Sequence, residues 1–95
     1  MRISNDNPKG LKHLTLEELR QLINSLATDI EFEYNGKHGA ICPINRQHID
    51  VCYGGYNIPG DCIEKVCHSL DEVMKLEFID GQSLNQLCDK ILFDV

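Results

Sequence analysis

The sequence predicts an α+β domain: an N-terminal helix, a three- or four-stranded antiparallel meander, and two short C-terminal helices packed on one face of the sheet. Three observations predict it. Residues 30–53 contain three runs of alternating apolar and polar residues separated by turn pairs, the pattern of consecutive strands with one buried face. Three Ser/Thr-x-x-Glu/Gln boxes each precede a leucine-rich helical stripe. A small sheet with one apolar face needs a cover in water, and those stripes supply it.

Residues 1–12 are polar, include Pro8 and Gly10, and are expected to form a flexible arm, leaving 13–95 as a single domain. Thr15-Leu16-Glu17-Glu18 is the first capping box, in which hydroxyl and carboxylate satisfy each other's backbone amides. Leu16, Leu19, Leu22, Ile23 and Leu26 then recur on one face of a helix of about three turns, ending near Ala27.

Ile30, Phe32 and Tyr34 alternate with Glu31 and Glu33 in the first strand, and Asn35-Gly36 supplies a hairpin turn. Matching apolar positions across that turn favours an odd-length loop, which sets Ala40, Cys42 and Ile44 beside Phe32 and Ile30. A strict two-residue turn would set Gly39 and Ile41 there instead. Asn45-Arg46 makes the next reversal, and Ile49, Val51 and Tyr53 complete the expected apolar face. Glu31, Glu33, Ile41, His48, Asp50 and Cys52 are expected on the other.

Residues 54–61, with three glycines and Pro59, read as an irregular connector. Residues 62–68 fit two patterns: a helical stripe through Ile63, Val66, Cys67 and Leu70, or a fourth strand ahead of a helix opened by the box at Ser69-Leu70-Asp71-Glu72. Asp80-Gly81 is a tight turn. Ser83-Leu84-Asn85-Gln86 opens a last helix over 84–92, with Leu84, Leu87, Cys88, Ile91 and Leu92 on its stripe.

The helix with its Leu-Thr-Leu-Glu-Glu-Leu start, the Thr28-to-Lys37 segment TDIEFEYNGK and the Ser69-to-Leu84 segment SLDEVMKLEFIDGQSL resemble a group of small proteins of Gram-positive bacteria and their phages or mobile elements. The resemblance covers about two thirds of the chain and rests on caps and turns. In such relatives a strand leads into the serine, which favours strand over helix for 63–67. The group carries no activity across to this chain. Residues 42–67 depart most from it.

Ninety-five residues hold one modest core, and fifteen acids against nine bases give a net charge of -6. That balance disfavours direct binding to nucleic acid or an anionic membrane. No apolar run approaches the roughly 18 residues of a membrane span, and no apolar segment follows Met1-Arg2. Five cysteines without a CxxC pair are expected to be reduced thiols of a cytoplasmic protein, monomeric or weakly dimeric.

Several chemistry-bearing patterns compete with plainer readings. His48, Asp50 and Cys52 share a strand face, but His48 and Cys52 would stand about 13 Å apart at Cα, too far for a nucleophile and its base. Cys42, Cys52, Cys62, Cys67 and His68 lack the close ligand pairs of a zinc site. Gly55 and Gly60 have phosphate-loop spacing, but Asp61-Cys62 stands where lysine and a hydroxyl are needed. No catalytic, cofactor-binding or metal residue is therefore assigned.

The expected role is a non-enzymatic accessory domain that binds an unidentified protein. Tyr53, Tyr56, Ile58, Glu31 and Glu33 are the candidate contacts. Two alternatives are an acidic inhibitor presenting carboxylates to the nucleic-acid groove of a defence enzyme, and a small zinc- or thiol-dependent module.

Overall fold

The structure is a computed structural model, and it describes residues 11–54 and 62–94. Six strands form one antiparallel sheet: β1 (Leu11–Lys12), β2 (Ile30–Tyr34), β3 (Lys37–Asn45), β4 (His48–Gly54), β5 (Cys62–Cys67) and β6 (Leu92–Asp94), in the order β1-β6-β2-β3-β4-β5. Three helices, α1 (Leu16–Ser25), α2 (Leu70–Lys75) and α3 (Leu84–Leu87, continued by a 3-10 turn over Cys88–Lys90), bury their apolar residues against one face.

The α+β class and the meander β2-β3-β4-β5 agree with the sequence, and residues 62–67 are a strand. Two strands are additional. Leu11 and Lys12 already pair with β6, so the sheet begins inside the segment expected to be an arm. The last helix is shorter than its stripe predicts: it tightens at Cys88 and gives way to β6, which enters between β1 and β2. Ile91 and Phe93 are thereby buried and Leu92 turned outward.

All three predicted serine and threonine caps form. Thr15 and Ser83 make reciprocal boxes with Glu18 and Gln86. Ser69 Oγ accepts from the Glu72 amide, but the Glu72 carboxylate accepts from the amide of His68 instead. Helix α1 stops at Leu26, whose left-handed backbone (φ 58°) closes it on Ile23 O.

The hairpin register differs from the expected one by a residue. Asn35 and Gly36 both have positive φ (56° and 76°) and form a strict two-residue turn, pairing Tyr34 with Lys37 and Phe32 with Gly39. Gly39, Ile41 and Pro43 are buried, while Ala40 and Cys42 lie on the opposite face and Ile44 is exposed. A bulge between Pro43 and Asn45 then brings Ile49, Val51 and Tyr53 back to the core. Ring volume decides the register. Phe32 needs a neighbour without a side chain: a Cβ at position 39 would fall 2.6 Å from Phe32 Cε1 and 2.7 Å from the Cys52 carbonyl oxygen.

The core is an aromatic row on the helix side of the sheet. Phe93, Phe32 and Tyr53 follow one another across β6, β2 and β4, with Phe78 against Phe32 edge-on at 6.4 Å between centroids. Leu19, Ile23, Val73, Met74, Leu84 and Leu87 close over it from the helices.

Candidate interaction face

Antiparallel pairing fixes which side chains share a face. One row across the sheet's other face runs Leu11, Asp94, Glu31, Ala40, Cys52, Glu64. A second runs Leu92, Glu33, His38, Gly54, Cys62. A third joins Cys42, Asp50 and Val66. Among the described residues no helix covers these rows, and α1, α2 and α3 all pack on the reverse.

The rows hold five carboxylates, Glu31, Glu33, Asp50, Glu64 and Asp94, and no lysine or arginine. Two of the five have histidine partners: Glu33 with His38 at 3.1 Å, and Asp50 with His48 at 3.0 Å. Glu31 and Asp94 are directly opposite each other on neighbouring strands. Like charges so placed destabilise a sheet pair, so this is a local cost that the fold itself does not require. Between β3 and β5 the sheet forms a groove of about 480 Å³, lined by Ala40, Cys42, Asp50, Cys52, Glu64 and Val66 and bordered by Val51 and Lys65. Val66 and Leu92 are exposed apolar residues on this face.

The one-residue change of register moves Cys42 onto the same face as Cys52 and Cys62. Sequence reasoning put Cys42 with the core because it matched the apolar alternation. The three cysteines form a diagonal across β3, β4 and β5, each offset by two residues in register from the next. Burial pushes the Cys42 thiol up to about 11, helped by Asp29, and burial likewise raises Cys52. Both shifts are opposite to those of an activated nucleophile. His48 lies 3.0 Å from Asp50, and among the described residues no hydrogen bond joins either to Cys52, so the three do not assemble as a catalytic set. Among the described residues no three His, Cys, Asp or Glu side chains converge as a metal-binding group.

Of the expected contacts, Glu31 and Glu33 lie on the open face. Tyr53 does not: it is 2% exposed, and its ring belongs to the core. Its hydroxyl lies 2.8 Å from Tyr34 O and 3.1 Å from Asp80 Oδ2. Burial first, then the hydrogen bond to Asp80, pushes this phenol well above its ordinary pKa. Tyr56 and Ile58 lie outside the described residues. Asp80 also receives hydrogen bonds from Asn35 and Lys37, which hold its carboxyl below the usual range. The cluster ties the Asn35-Gly36 turn directly to the Asp80-Gly81 turn.

Compared with known proteins, the chain matches no family model, no curated protein and no solved structure. No helix among the described residues is long and apolar enough to cross a membrane.

Proposed function

We propose that this chain is a small protein-interaction module that docks the open, acidic face of its sheet on a basic surface of a partner protein. The observation that carries this reading is the direct opposition of Glu31 and Asp94 on a face whose described residues include five carboxylates and neither lysine nor arginine. A cationic partner surface relieves that repulsion, so binding offsets a cost present in the free domain. Leu92 and Val66 add apolar contact at either side of the acidic rows.

A narrower version is favoured by the same row. If the partner's basic surface is a groove that ordinarily takes nucleic-acid phosphates, the module acts as its acidic competitor in a phage or mobile-element setting. The test is affinity capture with the immobilised wild-type domain beside Glu31→Lys/Asp94→Lys. The expected result is a basic partner retained by wild type at low salt, released steeply as salt rises, and lost from the variant. Equal retention by both proteins, unmoved by salt, overturns the reading. Displacement by added nucleic acid selects the competitor version, and indifference to it selects the general one.

A further inference from the structure

The groove of about 480 Å³ on the open face lies over a block of six residues, two from each of β3, β4 and β5. Ala40, Cys52 and Glu64 stand opposite one another in one row of the block, and Cys42, Asp50 and Val66 in the next. Small side chains at 40, 42 and 52 leave the sheet surface low there. Lys65 borders the groove, but it is opposite the core residue Val51, so strand alternation sends its side chain to the reverse face.

Floor and rim differ in character. Burial raises the Cys42 and Cys52 thiols above their ordinary values, so the floor is uncharged at neutral pH. The rim is anionic. Asp50 and Glu64 are diagonal neighbours on β4 and β5, a placement that sets Cα atoms about 7–8 Å apart. Asp50 meets His48 through Oδ1 at 3.0 Å, and among the described residues Glu64 has neither an ion-pair nor a hydrogen-bond partner. Val66, 47% exposed, adds an apolar flank.

The guest that fits such a groove is a cation on an apolar stem. An ammonium is a compact, strongly hydrated point charge, whereas a guanidinium is planar, less hydrated and carries five donors that reach two carboxylates at once. We infer that the groove seats an arginine side chain of the docked partner, its stem along Ala40, Cys52 and Val66 and its guanidinium between Asp50 and Glu64. Charge complementarity selects this occupant: an anionic guest is repelled, and an apolar one would strip water from Glu64 without giving it a partner. The volume falls within the roughly 300–1,000 Å³ of ligand sites, which leaves room for the chain on either side of the arginine. This inference rests on the docking reading for the source of the arginine and deepens it. Glu31 and Asp94 supply a long-range field, and the groove supplies the anchor.

The test is an amide NMR titration of the full chain at low salt with the capped tripeptide Gly-Arg-Gly, beside Gly-Lys-Gly, and with no partner protein present. The expected result is a set of saturable shifts centred on Ala40, Cys52 and Glu64, with tighter binding of the arginine peptide. Glu64→Gln should weaken that binding about tenfold, the loss of one charge-assisted contact. Glu64 is exposed, so the variant keeps its fold. Glu77→Gln removes the same charge at an exposed position outside the groove and should leave the affinity unchanged. Ala40→Leu fills the groove with every carboxylate in place and should abolish the shifts. The seat is overturned if no saturable shifts occur, if they centre elsewhere, if lysine binds as tightly, or if Glu77→Gln weakens binding as much as Glu64→Gln. A failed titration strikes the groove alone and leaves docking to the capture experiment. Expected shifts with an empty capture uphold the arginine seat and strike the docking reading instead.

Discussion

Phe32 and Tyr53 stack nearly parallel, 8° between planes and 6.1 Å between centroids, across the backbone of Gly39 on the strand that separates them. Neither ring could reach the other over a side chain, so the glycine is a packing residue although it contributes no apolar surface. Such an aromatic pair adds about 0.5–1.5 kcal/mol beyond its area burial.

Gly39→Ala should therefore be among the most damaging single substitutions. The new methyl meets a buried ring on one side and the Cys52 carbonyl on the other, and the carbonyl is part of the β3–β4 ladder and cannot swing aside. Overpacking of this kind costs about 1–3 kcal/mol or more. The midpoint of urea unfolding reads it directly; an unmoved midpoint would show that β3 shifts freely and that the register is not set by the ring.

Tyr53→Phe keeps the stack and removes only the hydroxyl. Its loss leaves Tyr34 O and Asp80 without that donor at the sealed end of the core, at a cost of about 0.5–1.5 kcal/mol. The comparison with Gly39→Ala separates ring packing from the polar link, and Tyr53→Phe should be the milder of the two in the same unfolding series.

Asp80 makes stability depend on acidity. Hydrogen bonds from Asn35 and Lys37 lower its pKa in the folded state, so the folded protein holds its proton less tightly than the unfolded chain does. The resulting stability is fully present above the ordinary carboxylate pKa and is lost as pH falls through the lowered one. Asp80→Asn accepts the same positive φ (52°) and keeps the turn. Wild type should thus exceed the variant in melting temperature at neutral pH, with the difference closing on acidification. A gap constant from neutral to acid pH would remove Asp80 from the acid response.

What the sequence discloses and what it hides divide by the range of the interaction. Thr15, Ser69 and Ser83 were legible as caps because a cap involves only residues three apart. The Asn35-Gly36 and Asp80-Gly81 turns were legible for the same reason. Strand β6 was not: Leu92 continues the helical stripe of Leu84, Leu87, Cys88 and Ile91, and only pairing with β2, some sixty residues earlier in the chain, makes it a strand. The register was misread because Ala40, Cys42 and Ile44 score as apolar and Gly39 does not, whereas the core wanted space at 39. The thiol diagonal followed from that register and was hidden with it, although its spacing of ten residues between cysteines was visible.

The caps also differ in a measurable way. Ser83 is 5% exposed, and truncating it removes the Oγ acceptor of the Gln86 amide in a part-buried site. Thr15 and Ser69 cap at the surface, where water substitutes. Alanine at each should cost about 1 kcal/mol, with Ser83→Ala at the upper end of the roughly 0.5–2 kcal/mol range and Thr15→Ala nearer the lower. Equal losses in thermal unfolding would mean that burial of the cap adds nothing.

Asp94→Asn offers a contrast between folding and docking. Removing one of two carboxylates that face each other across β6 and β2 relieves repulsion of about 0.2–1 kcal/mol, so the free domain should become slightly more stable. The same change removes a charge from the proposed docking face, so affinity for a basic partner should fall, and fall most at low salt. Stability and binding would then move in opposite directions, as expected of a surface kept for function at a cost to the fold. If Asp94→Asn instead destabilises the domain, a carboxylate at 94 serves the strand pairing, and the repulsion across β6 and β2 no longer argues for a cationic partner.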